Sequence, residues 1–182
     1  MPLLVFRATT SVDATALLRA IQTNSDFLEP WVTTPQRVTD IATARTCVTE
    51  KLQDGGAARY AAFHADDLAG SAKIIDYGLD ESYELGFWCT RAWSRRGVGR
   101  WMVCNAISKA FELGASRVIL RHASTNVPSA RLIQGVGARR EGVSRGTAQL
   151  GTRTDDVVTY GICREEWPTI GALDWCSPCR EF

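Results

Sequence analysis

Hydrophobic and polar positions change period several times along the chain. Leu3 to Ala8 is an apolar run of strand length. Ser11 stands where an N-cap is expected, and the residues after it place Leu17, Leu18 and Ile21 on one helical face. An irregular aromatic stretch follows, Asp26-Phe27-Leu28-Glu29-Pro30-Trp31. Thr34 as N-cap and Pro35 at the first helical position predict a second helix. It carries Val38, Ile41, Val48 and Leu52 and stops at Asp54-Gly55-Gly56. The period then drops to two. Arg59 to His64 and Leu68 to Asp76 read as strands around the turn Ala65-Asp66-Asp67, and Tyr83 to Cys89 reads as a third. Helical spacing returns from about Val98 to Leu113, with Gly114 well placed to end it. Arg117 to His122 is a buried-looking strand. A short helix after Asn126 ends at Gly135 and Gly137, and strands Arg139 to Gly146 and Asp156 to Arg164 complete the pattern.

Hairpins first, then strand–helix–strand–helix–strand, predict a mixed α/β sheet covered by helices. A length of 182 residues suits one domain, expected over residues 1–167, with residues 168–182 as a tail packed on or extending from it. The hydrophobic fraction of 45% and a net charge of +1 describe an ordinary globular chain with no global field for nucleic acid or membrane surfaces. The first residues lack a signal peptide's cationic start and no apolar run reaches spanning length, so a cytoplasmic location with reduced cysteines is expected. Cys47, Cys89, Cys104 and Cys163 lie in apolar surroundings and read as small buried hydrophobes.

The chemically informative stretch begins at Tyr83-Glu84-Leu85-Gly86-Phe87-Trp88-Cys89 and continues through Ser94-Arg95-Arg96-Gly97-Val98-Gly99-Arg100. A strand ends, a basic loop follows, and Gly-x-Gly opens an apolar-periodic helix. Such a helix start offers unpaired N–H groups to an anion, and the arginines add charge and forked donors. The combination reads as a pyrophosphate cradle. It is not a Walker loop, because no Gly-Lys-Ser/Thr follows. It is not a dinucleotide fingerprint either, because the third glycine position holds Met102. A tight strand-to-helix turn with a solvated arginine face is the alternative.

A second stretch accompanies it: Asn126-Val127-Pro128-Ser129-Ala130-Arg131, then Gly135-Val136-Gly137-Ala138 and Glu141-Gly142. In order and spacing the set resembles the GNAT superfamily of acyl-CoA-dependent N-acetyltransferases, most closely its RimJ/RimL branch. Phe27-Leu28-Glu29-Pro30-Trp31 also resembles that branch, and the likeness runs from residue 3 to about 167. Ser94 stands where the family often has Gln or Arg. Ala138 replaces an aromatic. Gly146-Thr147-Ala148-Gln149 lacks a carboxylate found there in RimL-like enzymes.

The resemblance implies a GNAT fold with a mixed, mostly antiparallel twisted sheet flanked by helices. It implies acetyl-CoA as donor, no metal, and a primary amine as acceptor, foremost a protein or peptide N-terminal α-amine, attacked directly in a ternary complex. Phe87, Trp88 and Cys89 would hold the pantetheine arm and thioester. Arg95, Arg96, Gly97, Val98, Gly99 and Arg100 would hold the pyrophosphate, with Asn126 and Ser129 beside the cofactor. Glu84 and His122 are the candidate bases. Glu84 shares a strand face with Gly86 and Trp88, and His122 closes its strand at the site's edge. Ser129 is the candidate acid for the departing thiolate. Phe27, Trp31 and Glu84 would meet the acceptor, with Trp93 as a further aromatic. A small-molecule amine acceptor, a carrier-bound acyl donor and a non-catalytic acyl-CoA-binding module stand as alternatives, and a homodimeric state is left open.

One further stretch, Trp175-Cys176-Ser177-Pro178-Cys179, is spelled like a thioredoxin redox site. Such a site needs a helix behind the first cysteine to lower its pKa, and only Arg180-Glu181-Phe182 follow here. No second Cys-x-x-Cys offers the rest of a zinc site. The stretch reads as a tail lying on the domain.

Overall fold

The computed structural model describes residues 3–50, 56–78, 80–150, 153–167 and 179–181. The strands are β1 (Leu3–Ala8), β2 (Ala57–His64), β3 (Asp67–Asp76), β4 (Ser82–Cys89), β5 (Arg117–Ala123), β6 (Arg139–Leu150), β7 (Arg153–Cys163) and β8 (Cys179–Glu181). The helices are α1 (Ala14–Gln22), α2 (Ser25–Leu28), α3 (Thr34–Arg37), α4 (Ile41–Val48), α5 (Val98–Glu112) and α6 (Val127–Gly135). The strands form one sheet in the order β6-β7-β5-β4-β3-β2-β1-β8. Every neighbouring pair is antiparallel except β4 with β5.

The sheet buries both faces. On one, α5 and α6 cover Ile74, Leu85, Leu120 and Ile162, with Trp101, Met102, Ile107 and Ile133 filling the layer between. On the other, α1 and α4 bring Leu17, Ile21 and Val48 against Phe63, Leu68 and Trp88. Alternation along β4 sorts Leu85 and Trp88 to these two layers. Among the described residues no helix is long and apolar enough to cross a membrane.

Local chemistry moves several expected boundaries. Thr10, not Ser11, precedes the first helical turn. The Asp13 carboxylate accepts from the Thr10 N–H at 2.7 Å, and a 3-10 turn over Ser11–Asp13 leads into α1. The expected second helix is two. Val38 leaves helical geometry after one turn (φ −113°, ψ 86°), and Asp40 starts α4 afresh by accepting from the Thr43 N–H at 2.8 Å. Leu52, Asp54 and Gly55 lie outside the described residues. The aromatic stretch holds a single helical turn, α2. Of the four cysteines expected to be buried, only Cys104 is; Cys47, Cys89 and Cys163 are half-buried, and all four are free thiols. Trp175, Cys176, Ser177 and Pro178 lie outside the described residues. Cys179 opens β8, which pairs with β1 through Val5↔Cys179, Leu4↔Arg180 and Leu3↔Glu181.

Candidate active site

Among the described residues the single parallel pair in the sheet is a short one. β4 and β5 pair only at Ser82↔Arg117, Tyr83↔Val118 and Glu84↔Ile119. Beyond that point both strands continue without a ladder between them. Backbone groups on the two facing edges therefore need other partners. The gap opens into a cleft of about 1260 Å³ lined by Gly86 to Cys89 on one side and Arg121 to Ala123 on the other.

The α5 N-terminus stands at this cleft. Its N-cap, Gly97, has φ +84°, and Arg95 has φ +60°. Gly97 adopts the left-handed conformation without the steric cost a side chain would bring. Left-handed backbone at Arg95 and Gly97, either side of Arg96, suits an anion nest, in which successive N–H groups turn toward one point. No side chain caps this end of the helix. Arg95, Gly97, Gly99 and Arg100 all line the cleft. These features fit a diphosphate of the size and charge carried by coenzyme A. The loop before the helix is anchored, since the Arg91 N–H donates to Asn24 Oδ1 at 2.9 Å and its guanidinium pairs with Asp26 at 2.6 Å.

Most of the site residues expected from sequence reach this cleft: Phe27 and Trp31 on one wall, Phe87, Trp88 and Cys89 on β4, and His122, Asn126 and Ser129 on the far side. Asn126 caps α6, its Oδ1 accepting from the Ser129 N–H at 3.2 Å, which fixes both residues at the rim. Four residues are placed elsewhere. Val98 is fully buried in the core, so only its backbone is available to a ligand. Arg96 is exposed beside the Trp93 ring at 5.8 Å, and Trp93 packs on His64 outside the cleft lining. Glu84 sits where β4 and β5 still pair and does not line the cleft. Its carboxylate is held by Arg121 at 2.8 Å and accepts from the Tyr77 hydroxyl at 3.3 Å.

His122 is 8% exposed and packs at a tilt against Tyr160, with ring centroids 5.6 Å apart. Its Nδ1 lies 2.8 Å from the Ala123 carbonyl, so in the neutral ring Nδ1 carries the proton and donates. That leaves Nε2 as the basic nitrogen, buried and without a hydrogen-bond partner. Cys89 donates its thiol to the Ala69 carbonyl at 3.3 Å, and burial pushes its pKa up to about 12. Burial also raises the Cys47 thiol. Both cleft cysteines are therefore protonated near neutrality and poor nucleophiles. Among the described residues no group of three or more His, Cys, Asp or Glu side chains is arranged to hold a metal.

Sequence reasoning missed a polar cluster on the α1–α4 face of the sheet. Arg59, 6% exposed, donates to the Cys47 carbonyl at 3.1 Å and to Ser71 Oγ at 3.0 Å. Glu50 joins Arg59 at 3.6 Å and Lys73 at 3.0 Å. All four side chains line the cleft. The available signal was Ser71 and Lys73 at i and i+2 in an otherwise apolar strand.

Comparison with known proteins agrees with this geometry. A family model described as an acetyltransferase (GNAT) domain matches residues 4–139. The uncharacterized N-acetyltransferase YnaD of Bacillus subtilis (strain 168) is 27% identical over 103 residues, which is 56% of this chain and 61% of that protein. The chain thus spans under two thirds of that relative's length. Among solved structures, the ribosomal L7/L12 alpha-N-protein acetyltransferase RimL, in complex with coenzyme A, superposes with a TM-score of 0.77 at 18% identity, covering 88% of this chain and 93% of that one. Mycobacterium smegmatis RimJ, in complex with CoA-disulfide, gives 0.75 at 18% identity, covering 92% and 88%. With the opened strand pair, the uncapped helix start and a family match over most of its length, this chain belongs to the GNAT family of acetyltransferases.

Proposed function

We propose that the chain is an acetyl-CoA-dependent N-acetyltransferase whose acceptor is a primary amine, foremost the α-amine of a peptide or protein N-terminus. The observation that carries this reading is the cleft between β4 and β5, with an uncapped helix start at its mouth and an unpartnered imidazole nitrogen in its wall. Acetyl-CoA supplies the activated acetyl group. The chain's residues bind, align and move protons. The nest at Arg95–Gly97 and the first turn of α5 hold the diphosphate, with Arg95 and Arg100 alongside. The open edge of Phe87 to Cys89 offers backbone amides to the pantetheine arm. His122 Nε2 takes the amine's proton. It is favoured over Glu84, whose carboxylate is engaged by Arg121 and lies off the cleft. Ser129 returns a proton to the departing thiolate. Direct attack on the thioester, without an acyl-cysteine, is supported by the protonated state of Cys89 and Cys47.

RimL, an alpha-N-protein acetyltransferase, favours the peptide acceptor, and the charged Arg59–Glu50–Lys73 cluster in the cleft favours a small polar amine as the second reading. A panel of short peptides with free N-termini and of small amines, mixed with acetyl-CoA and assayed for free thiol, tests the proposal. Amine-dependent release of coenzyme A is expected. Ser129→Ala should lower kcat more than acetyl-CoA affinity; equal losses would make Ser129 a binding residue only.

A further inference from the structure

Among the described residues, three buried side-chain polar atoms lack a hydrogen-bond partner: His122 Nε2, Trp88 Nε1 and Glu50 Oε2. All three residues line the same cleft. A native fold leaves few such atoms, since burying a polar atom unpaired is costly, and their convergence on one cavity points to a ligand. The proton-transfer role above accounts for His122. Glu50 Oε2 is ion-paired with the Arg59 guanidinium at 3.6 Å, just beyond hydrogen-bond distance, so the Trp88 indole N–H is the group left unexplained.

Their surroundings define the missing partner. Ser71 pairs with Trp88 and Lys73 with Gly86 across the β3–β4 ladder. Lys73 and Trp88 are therefore diagonal neighbours on one face, within reach of a common ligand. Between them, a Cβ built on Gly86 would meet no atom within 4 Å, so the floor of the cleft is open there. Arg59 and Lys73 share the single carboxylate of Glu50, which leaves the cluster with a surplus positive charge. Arg59 commits two of its five donors to Cys47 and Ser71 and turns its third nitrogen to Glu50. Lys73 spends one of its three on Glu50. Two ammonium protons of Lys73 thus remain uncommitted at the cleft, the Trp88 indole N–H lies buried and unpaired in its wall, and the cluster beside them carries a net positive charge; an anionic oxygen pair seated against that wall satisfies them.

We infer that the acceptor amine carries a carboxylate, taken by Lys73 Nζ and Trp88 Nε1 over Gly86. This rests on the reading of the cleft as an amine acetyltransferase site and adds the acceptor's chemical class to it. The carboxylate has two sources, the α-carboxylate of a free amino acid or an acidic side chain in a peptide.

The test is a binding measurement that does not need turnover. Two matched pairs are titrated by ligand-observed NMR onto the coenzyme A-loaded protein: alanine against alaninamide, and Ala-Asp-amide against Ala-Asn-amide. The acid of at least one pair should bind about 10–100-fold tighter than its amide, as charge-assisted hydrogen bonds require, and the pair that discriminates names the source. Lys73→Met should abolish the discrimination with coenzyme A affinity unchanged, and Lys73→Arg should restore most of it. No discrimination by the wild-type protein in either pair overturns the inference, as does discrimination that survives in Lys73→Met. If Lys73→Met fails to fold, the wild-type comparison still decides. Should coenzyme A itself not bind, the acetyltransferase reading fails. The same pairs titrated onto the free protein then judge the carboxylate site alone.

Discussion

His122 takes its chemical character from one neighbour. The Ala123 carbonyl accepts the Nδ1 proton and so exposes Nε2 as the lone-pair nitrogen. Replacing it by Gln keeps the polarity and much of the volume but removes the base. His122→Gln should lower kcat by about 10²–10⁴-fold, the usual contribution of a positioned base, with acetyl-CoA affinity unchanged by calorimetry. An unchanged kcat would move the proton to another group. Gly97 makes an equally sharp case on the cofactor side. At φ +84°, beside a bound diphosphate, an Asp side chain adds strain and a negative charge. Gly97→Asp should weaken acetyl-CoA by about 100-fold or more while circular dichroism stays native. Normal affinity would contradict the cradle assignment. Gly97 and His122 were both legible in the sequence, one through the Gly-x-Gly at a strand-to-helix junction, the other as one of two histidines at a strand end. The Arg59–Glu50–Lys73 cluster was not. Its members come from three separate segments, and only the β2–β3 register and the position of Glu50 beyond α4 bring them together.

At the scale of elements, the entry into α1 shows how charge fixes a junction. Arg7 at the end of β1 grips Asp13 in a two-point pair, 2.7 and 2.9 Å, and Asp13 also accepts from the Thr10 N–H. The Arg7 guanidinium, ahead of the Thr10 bonds, holds the buried Asp13 carboxyl below its ordinary range. A carboxylate depressed in the folded state stabilises it above the ordinary carboxylate pKa of about 4, and that contribution is lost as pH falls from there through the folded value. Asp13→Asn should therefore cost about 1–3 kcal/mol at pH 7, and the gap from wild type should close in thermal melts as pH drops below about 4. A gap independent of pH would mean that packing, not charge, holds the junction. Strands β1 to β5 and helices α5 and α6 were readable from their periods and glycine stops, because burial on the sheet enforces the pattern. The division of α3 from α4 was not. Val38 keeps helical spacing in sequence while its backbone departs from it, and Asp40 is a cap only in retrospect.

For the molecule as a whole, the decisive feature is the early end of the β4–β5 ladder. A sheet that stayed paired to Cys89 and Ala123 would bury the same apolar residues and leave no cleft. A mixed sheet covered by helices could be inferred from the alternation of hairpins and helices. The opening could not, because both strands remain apolar and extended on either side of it. The central claim is that this opening seats acetyl-CoA and presents its acetyl group to an amine. Its most direct test is a single experiment: calorimetric titration with acetyl-CoA, followed by peptide and small-amine panels with free coenzyme A read by a thiol reagent against enzyme-thiol blanks. Saturable binding at one site per chain, with thiol release only when an amine is present, is the predicted result. Absence of acetyl-CoA binding, or binding with no amine-dependent release from any member of the panels, would contradict it.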